Sequence, residues 1–437
     1  MAHLERPPAK LIVQAELGSK AEDPFFSATP FLLAWVVFFL FIELVPTLFL
    51  ARIHIPEKSD FRCFYSGGLL LRTDPSNLYN IYKQRKLQAD LAGAENGWQM
   101  FIQPPYEALL LAPFSLLPYR NGYLLYLGFN VALIIPCFLV ARDAFSNVVD
   151  PWQPRPGLLF FFFLPLWLAL LQGQASVRLL LLCCGAWHEI RRRRDFVAGL
   201  LLALGLFKLQ ITVPLVLLLV LWRGVRLLAG FAAGASFVTA VSLLLVGWRG
   251  LWEFGKLLLT SSLVQGETPS AIAAVGQVPT LMPNLRGLLY GCGGRYLPHL
   301  WLLGLTFAIS AAVLLLVICL LRRKEDDGAG FALAVIGALL VSYHLHSHDL
   351  TLLLLPIALL AGRKRPYFSA LVSACFLLPA FLLIAPRQSQ YLMAFPLLAF
   401  LVLIAQDGRF SFHTTSQSEA VAGNAISREP HKNGSRT

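Results

Sequence analysis

Charge is scarce in this chain. Of its 437 residues only 14% are Asp, Glu, Lys or Arg, against roughly 25% in soluble domains. That scarcity excludes the two or three ordinary soluble domains that the length alone would allow. Cysteine is scarce too, and seven in so long a chain make no disulfide framework. Cys137, Cys183, Cys184, Cys319 and Cys375 fall inside apolar runs, where a thiol acts as a small hydrophobe. Only Cys63 and Cys292 fall in polar connections, and whether they pair is open. The chain also lacks a solenoid-period repeat, a Gly-rich phosphate loop and a His-Glu-x-x-His pattern, so no soluble catalytic domain is visible. Positions 1–30 are polar, with no apolar core and small-residue cleavage site of a signal peptide.

Apolar residues are abundant: 57% of the chain, with a mean hydropathy of +0.65. At about 20 residues per crossing of a hydrocarbon layer about 30 Å thick, they supply about twelve spans. The fold class is therefore all-α, a polytopic membrane protein of about twelve transmembrane helices. The first run, Phe31 to Leu50, reads as an uncleaved anchor, and the others lie at about 121–141, 157–171, 175–190, 196–209, 210–222, 227–247, 298–321, 329–345, 350–362, 367–385 and 391–405. Tyr106 to Leu117 is apolar but short and flanked by Pro104, Pro105 and Pro118, which suits a re-entrant segment.

The net charge of +12 sits in short clusters between apolar runs and so marks orientation, not a nucleic-acid partner. If Tyr106 to Leu117 is re-entrant, then Arg142, Arg191 to Arg194, Arg223 with Arg226, Arg322 to Lys324 and Arg363 to Arg365 all fall on the side of the N-terminus. The positive-inside rule makes that side cytoplasmic. One membrane domain, 1–405, then carries a first outer loop at 51–120, with interfacial helices at Phe61 to Arg72 and Leu78 to Leu91, and a second at 248–297. The polar tail 406–437 reads as a disordered cytoplasmic end.

This topology gathers the unusual polar residues on one face. Asp60 follows the anchor by about ten residues, where a carboxylate is either a general base for a hydroxyl or a solvated juxtamembrane acid. Lys208 interrupts an apolar stretch, and a buried lysine costs at least a few kcal/mol unless it meets water or an anion. It is either the cation for a phosphate or carboxylate group or a turn residue reaching the interface. Gln172 and Gln174 bracket Gly173, as amides for a sugar or as a tight turn. In the polar cluster Ser342 to Asp349, His344 and His348 share a face if the helix runs through it. Two histidines without a third ligand make a poor zinc site, which leaves a sugar or phosphate contact or a solvated corner. Arg286, beside Asn284, offers a bidentate grip on phosphate. Glu107, just after Pro104 and Pro105, is a second acid at the outer surface or a solvated loop residue.

In order along the chain, several stretches resemble glycosyltransferase family 87, the GT-C membrane enzymes related to polyprenyl-phosphate-mannose-dependent α-mannosyltransferases. They are Asp60-Phe61 with Phe64-Tyr65, Asp74-Pro75 with Leu78-Tyr79, Pro104-Pro105 through Ala108 to Pro118, Gly173-Gln174, Ala198-Gly199 leading to Lys208, Asn284 to Leu288, and Ser342 to His348. The chain departs from that pattern at Gln103, where an aromatic residue is usual, and in having His344 and His346 beside His348.

The resemblance implies a hexosyltransferase, with mannose the best-known sugar, that moves a sugar from a polyprenyl-phosphate donor to a hydroxyl of a glycan, glycolipid or protein. It implies inversion by a single displacement, no metal or cofactor, and a site on the outer face of the plasma membrane. Asp60 would be the base and Lys208 and His348 would line the donor phosphate site. Arg286, Gln172, Gln174, His344, Tyr65, Glu107 and Asn284 are the further candidates for holding the phosphate and sugar. Two other readings stay open: a secondary transporter, which would show polar breaks along a pore at the midplane, and a lipid-linked oligosaccharide ligase, with a wider lipid-side groove.

Overall fold

The computed structural model describes residues 56–145, 160, 162–263, 278–324, 326–361, 368–384 and 387–406. The anchor expected at Phe31 to Leu50, the Arg363 to Arg365 cluster and the tail from 407 onward lie outside them. The chain divides into two units, Met1–Arg52 and Ile53–Thr437, and every described residue belongs to the second.

All regular elements among the described residues are helical. In hydrocarbon each backbone N–H and C=O must bond within its own segment, which a helix achieves. In order they are α1 (Phe61–Thr73), α2 (Ile81–Ala92), α3 (Pro105–Leu111), α4 (Tyr119–Phe145), α5 (Leu164–Leu171), α6 (Ser176–Arg191), α7 (Asp195–Ala203), α8 (Leu209–Arg223), α9 (Val225–Leu263), α10 (Leu285–Gly293), α11 (His299–Leu321), α12 (Asp327–Val341), α13 (Leu354–Leu360) and α14 (Phe368–Ile384). A final helical stretch runs over 394–406. Short 3-10 turns join several of them, notably Leu204–Lys208 and Ser347–Leu353.

Among the described residues five stretches are long and apolar enough to cross a bilayer: Tyr119–Ala141, Asp195–Arg223, Val225–Thr260, His299–Leu321 and Ser389–Gln406. The protein is thus a membrane protein, although these five fall short of the twelve crossings expected from the apolar runs. Geometry further separates one of the five from a simple crossing. As a straight helix, the 29 residues of Asp195–Arg223 would hold their ends about 44 Å apart. Instead Arg223 Nε donates to Asp195 Oδ1 at 3.0 Å. α7 therefore runs in, the chain turns through Leu204–Lys208, and α8 runs back, with Lys208 at the tip. The separate runs 196–209 and 210–222 predict this hairpin.

The same ion pairs collect the basic clusters at one end of the bundle. Arg223 also donates to Asp327 Oδ1 at 2.9 Å, Arg193 lies 3.8 Å from the same carboxylate, and Arg194 lies 3.8 Å from Glu189. Lys324 reaches the carbonyl of Ile404 at 2.7 Å. α6 spans from this end, at Arg191, to the opposite end at Ser176; its 16 residues separate the two by about 24 Å.

The bundle is built around α12, whose residues from Ala329 to Leu340 are all buried. α11 instead leaves Leu300, Trp301, Phe307 and Leu315 exposed, as a lipid-facing helix does. Close packing, not water exclusion, holds helices together in lipid, and small residues permit it. A Cβ added to Gly230 would stand 1.9 Å from the carbonyl oxygen of Phe196, so α7 and α9 meet backbone to backbone. α9 breaks at Gly247 (φ 67°, ψ 179°).

The stretch expected to be the first outer loop is more than a polar connection. α1 and α2, at the two positions where interfacial helices are expected, close a second apolar core containing Phe61, Phe64, Leu78, Tyr79, Phe101 and Tyr126. Asp74 ties the link between them by accepting from Asn77, Ser76 and Lys83. The Asn77 amide first, and then Lys83, hold its carboxyl down at about 2. The segment expected to be re-entrant forms α3 and a 3-10 turn, Ala112–Leu116, neither long enough to cross. Cys63 is buried, Cys292 is exposed, and both are free thiols.

Glu107 requires a correction: it is neither solvated nor at an open outer surface. It is fully buried on α3 and forms an ion pair with Arg178 of α6, which also donates to the Tyr126 hydroxyl at 3.1 Å. An acid one turn inside an apolar segment needs a cation, and α6 supplies it. Arg178→Met, which leaves Glu107 buried and unpaired, is expected to cost about 3–5 kcal/mol. The double variant Glu107→Leu/Arg178→Met should recover most of that loss. Thermal unfolding of the detergent-purified variants checks both.

Candidate functional site

The site begins with a turn. α5 ends at Gln172, and Gly173 follows with φ +66°, a left-handed conformation that glycine adopts without steric cost. A Cβ there would also stand 2.8 Å from the Cβ of Phe61. The close approach lets the Phe61 N–H donate to the Gln172 carbonyl at 3.1 Å, docking the start of α1 on the turn. Asp60 is thereby placed beside Gln174, whose amide donates to Oδ2 at 2.5 Å, while Gln99 donates to Oδ1. The half-buried carboxylate is held by two neutral donors and keeps lone pairs on both oxygens.

From the same turn Gln172 reaches the other way. Its Oε1 accepts from His348 Nδ1 at 2.9 Å. His348 Nε2 lies 3.6 Å from Asp349 Oδ1, which forms an ion pair with Lys208 at the tip of the α7–α8 hairpin. Ser176, the first residue of α6, donates to Asp349 at 2.9 Å and accepts from Lys208 at 3.2 Å. The histidine strap folds over this pair: the His346 N–H donates to Asp349 Oδ2 at 3.1 Å, and the His346 and His348 rings lie 5.4 Å apart. Asp60, Gln172, Gln174, Lys208 and His348, distant in sequence, thus meet at the end of the bundle opposite the arginine clusters.

Arg286, His344 and Asn284 form an adjoining group on α10 and the strap. Asn284 caps α10 by accepting from the Gly287 N–H at 3.0 Å and donates to the Ser342 carbonyl at 2.5 Å, so it pins the strap to α10. The Arg286 guanidinium packs over the Tyr343 ring at 3.8 Å, with Nη1 on the Tyr343 carbonyl at 2.9 Å and 3.4 Å from His344 Nδ1. Its Nε and Nη2 are buried and make no hydrogen bond among the described residues.

Two candidates lie elsewhere. Glu107 belongs to the ion pair beneath α1. The Tyr65 hydroxyl donates to the Leu117 carbonyl at 2.8 Å and its ring packs against Phe61 and Tyr119, so it braces α1. Asp349, Ser176 and Gln99 escape sequence reasoning. For Asp349 a signal exists: Lys208 needs an anion, and the acid closing the histidine cluster is available to supply it. Gln99 carries no signal in its neighbourhood. No group of three or more His, Cys, Asp or Glu residues placed to hold a metal occurs among the described residues.

An apolar cavity of about 360 Å³ lies between α4 and α5, lined by Ile134, Ile135 and Phe138 of α4 and by Leu166, Trp167 and Leu170 of α5. α5 is the helix that ends at the Gln172 turn, so cavity and polar cluster share one element.

Burial, and secondarily the charge of Arg286, lower the His344 pKa from 6.5 to about 3. A depressed value means that the unfolded chain takes up a proton which the folded chain refuses. The contribution to stability is complete above pH 6.5 and is lost as pH falls towards 3. His344→Gln should therefore flatten the acid side of the stability profile between these values, read as the thermal midpoint against pH.

The family comparison adds what geometry alone cannot. Glycosyltransferase family 87 matches residues 101–343, more than half of the chain and inclusive of Gln172, Gln174, Lys208 and Arg286. Asp60 and the His344–Asp349 strap flank the matched stretch. No curated protein and no solved structure matches the chain. With the match covering most of the helical bundle, the chain belongs to glycosyltransferase family 87 and is a membrane-embedded glycosyltransferase.

Proposed function

We propose that the protein transfers a hexose, with mannose the first candidate, from a polyprenyl-phosphate donor to an acceptor hydroxyl with inversion. The observation that carries this reading is the Gln172-Gly173-Gln174 turn, which holds Asp60 on one side and His348, Lys208 and Asp349 on the other. A carboxylate that could accept a proton and a cluster of N–H donors that could meet a phosphate thereby stand across one turn of backbone.

In the reaction, the acceptor hydroxyl oxygen bonds to the anomeric carbon as the carbon–oxygen bond to phosphate breaks. The bonding pair leaves with the phosphate oxygen, and the hydroxyl proton passes to Asp60. Lys208, His348 and Arg286, with its two unused donor nitrogens, oppose the charge gathering on the phosphate. Gln172 and Gln174 border the sugar. The apolar cavity along α5, the helix that leads to the Gln172 turn, offers apolar surface for the prenyl chain. The arginine clusters occupy the other end of the bundle, and the positive-inside rule supports an outward-facing site in this reading, with the plasma membrane as the membrane proposed. Family membership and the clustering of polar groups at one end favour transfer over transport.

The test is to incubate purified protein with a panel of polyprenyl-phosphate sugars and a membrane extract as acceptor. One donor should be consumed, and Asp60→Asn should lower its turnover by about 10²- to 10⁴-fold with expression and insertion unchanged. Consumption of none, or full turnover by the Asn variant, overturns the reading.

A further inference from the structure

Lys208 and Asp349 are both buried, and Asp349 is completely so. The carboxylate touches four groups from three elements: the Lys208 ammonium, the Ser176 hydroxyl, the backbone N–H of His346 and the edge of His348. Serving only to neutralise a stranded lysine would require one of these contacts.

The other three have a geometric effect. An ammonium carries three N–H groups. Asp349 takes one and Ser176, itself fixed by Asp349, takes a second. One N–H is left, with its direction set by the other two. Through Oδ2 the same carboxylate fixes the start of the histidine strap, and with it the ring that meets Gln172.

We propose that Asp349 is a positioning residue of the donor pocket, aiming the remaining Lys208 N–H and the His346–His348 strap at one phosphate. This rests on the reading that Lys208 meets the donor phosphate. Asp349 does not touch the reacting atoms; it acts through Lys208 and the strap.

The test measures binding and so does not depend on transfer. Full-length protein in nanodiscs is titrated with polyprenyl monophosphate carrying no sugar. Asp349→Asn and Lys208→Met should each weaken binding about tenfold, as loss of a charged hydrogen bond does. Because Asp349 acts in part through Lys208, the double variant should lose clearly less than the roughly hundredfold that independent effects would give. Ser176→Ala, which leaves both charges in place, should lose about threefold.

If Asp349→Asn does not fold, Lys208→Met/Asp349→Leu removes both buried charges together and is expected to fold. It should likewise lose clearly less than about a hundredfold. Unchanged affinity in Asp349→Asn, multiplicative losses in the double variant, full affinity in Lys208→Met, or no binding by the unaltered protein each overturns the inference. Intact binding with this pattern but no sugar transfer overturns the proposed function instead and leaves the positioning role standing.

Discussion

A charge placed among apolar helices is costly unless it is paired, and with the exception of Arg286 this architecture is arranged around such pairs. An isolated ion in a low-dielectric interior costs several kcal/mol even after relaxation. Three pairings meet the cost here. Arg223 with Asp195 and Asp327 closes one end of the bundle, Glu107 with Arg178 ties α3 to α6, and Lys208 with Asp349 closes the other end. Each joins residues far apart in sequence, so the pairings also select which helices are neighbours. The first makes Asp195–Arg223 a hairpin, and the hairpin is what carries Lys208 to the site.

The turn at Gly173 does the rest of the convergence. It brings α1 within hydrogen-bond reach of α5, and its two flanking amides face opposite ways, one to Asp60 and one to His348. A β-carbon on this residue would push Phe61 away and move Asp60 with it. The candidate base is therefore placed by backbone packing, while the candidate cation is placed by charge pairing. The two means are independent, so disturbing one need not dislocate the other.

Much of this was legible in the sequence because hydropathy and charge report directly on lipid. The helical class, the positions of α1 and α2, the hairpin at Lys208 and the segregation of arginines to one end all follow from where apolar runs stop. Gln172, Gln174 and Lys208 stand out because each is polar where its surroundings are not, Asp60 because of its place after the anchor, and His348 because it belongs to a polar cluster between apolar runs. Glu107 was misplaced for the converse reason. It follows directly on two prolines at the mouth of a short run, which makes it resemble an acid at the outer surface, and only the fold reveals Arg178 beside it. Gln99 lay in an ordinary polar stretch, where no local contrast distinguishes a ligand of Asp60 from any other glutamine.

Charge pairing also bears on how an anionic head group enters. Lys208 is already matched by Asp349, so in the resting protein it contributes a directed N–H more than a net positive charge. Arg286 differs, since its Nε and Nη2 lack hydrogen bonds among the described residues. In the proposed reaction the guanidinium is then the group that compensates the phosphate's charge, and Lys208 the one that orients it. Both meet the strap, Arg286 at His344 and Lys208 through Asp349. That division suits a transfer in which the phosphate is bound as an anion and leaves with more charge than it brought: a fixed cation lowers the energy of both states, and a directed donor adds most where charge accumulates on one oxygen.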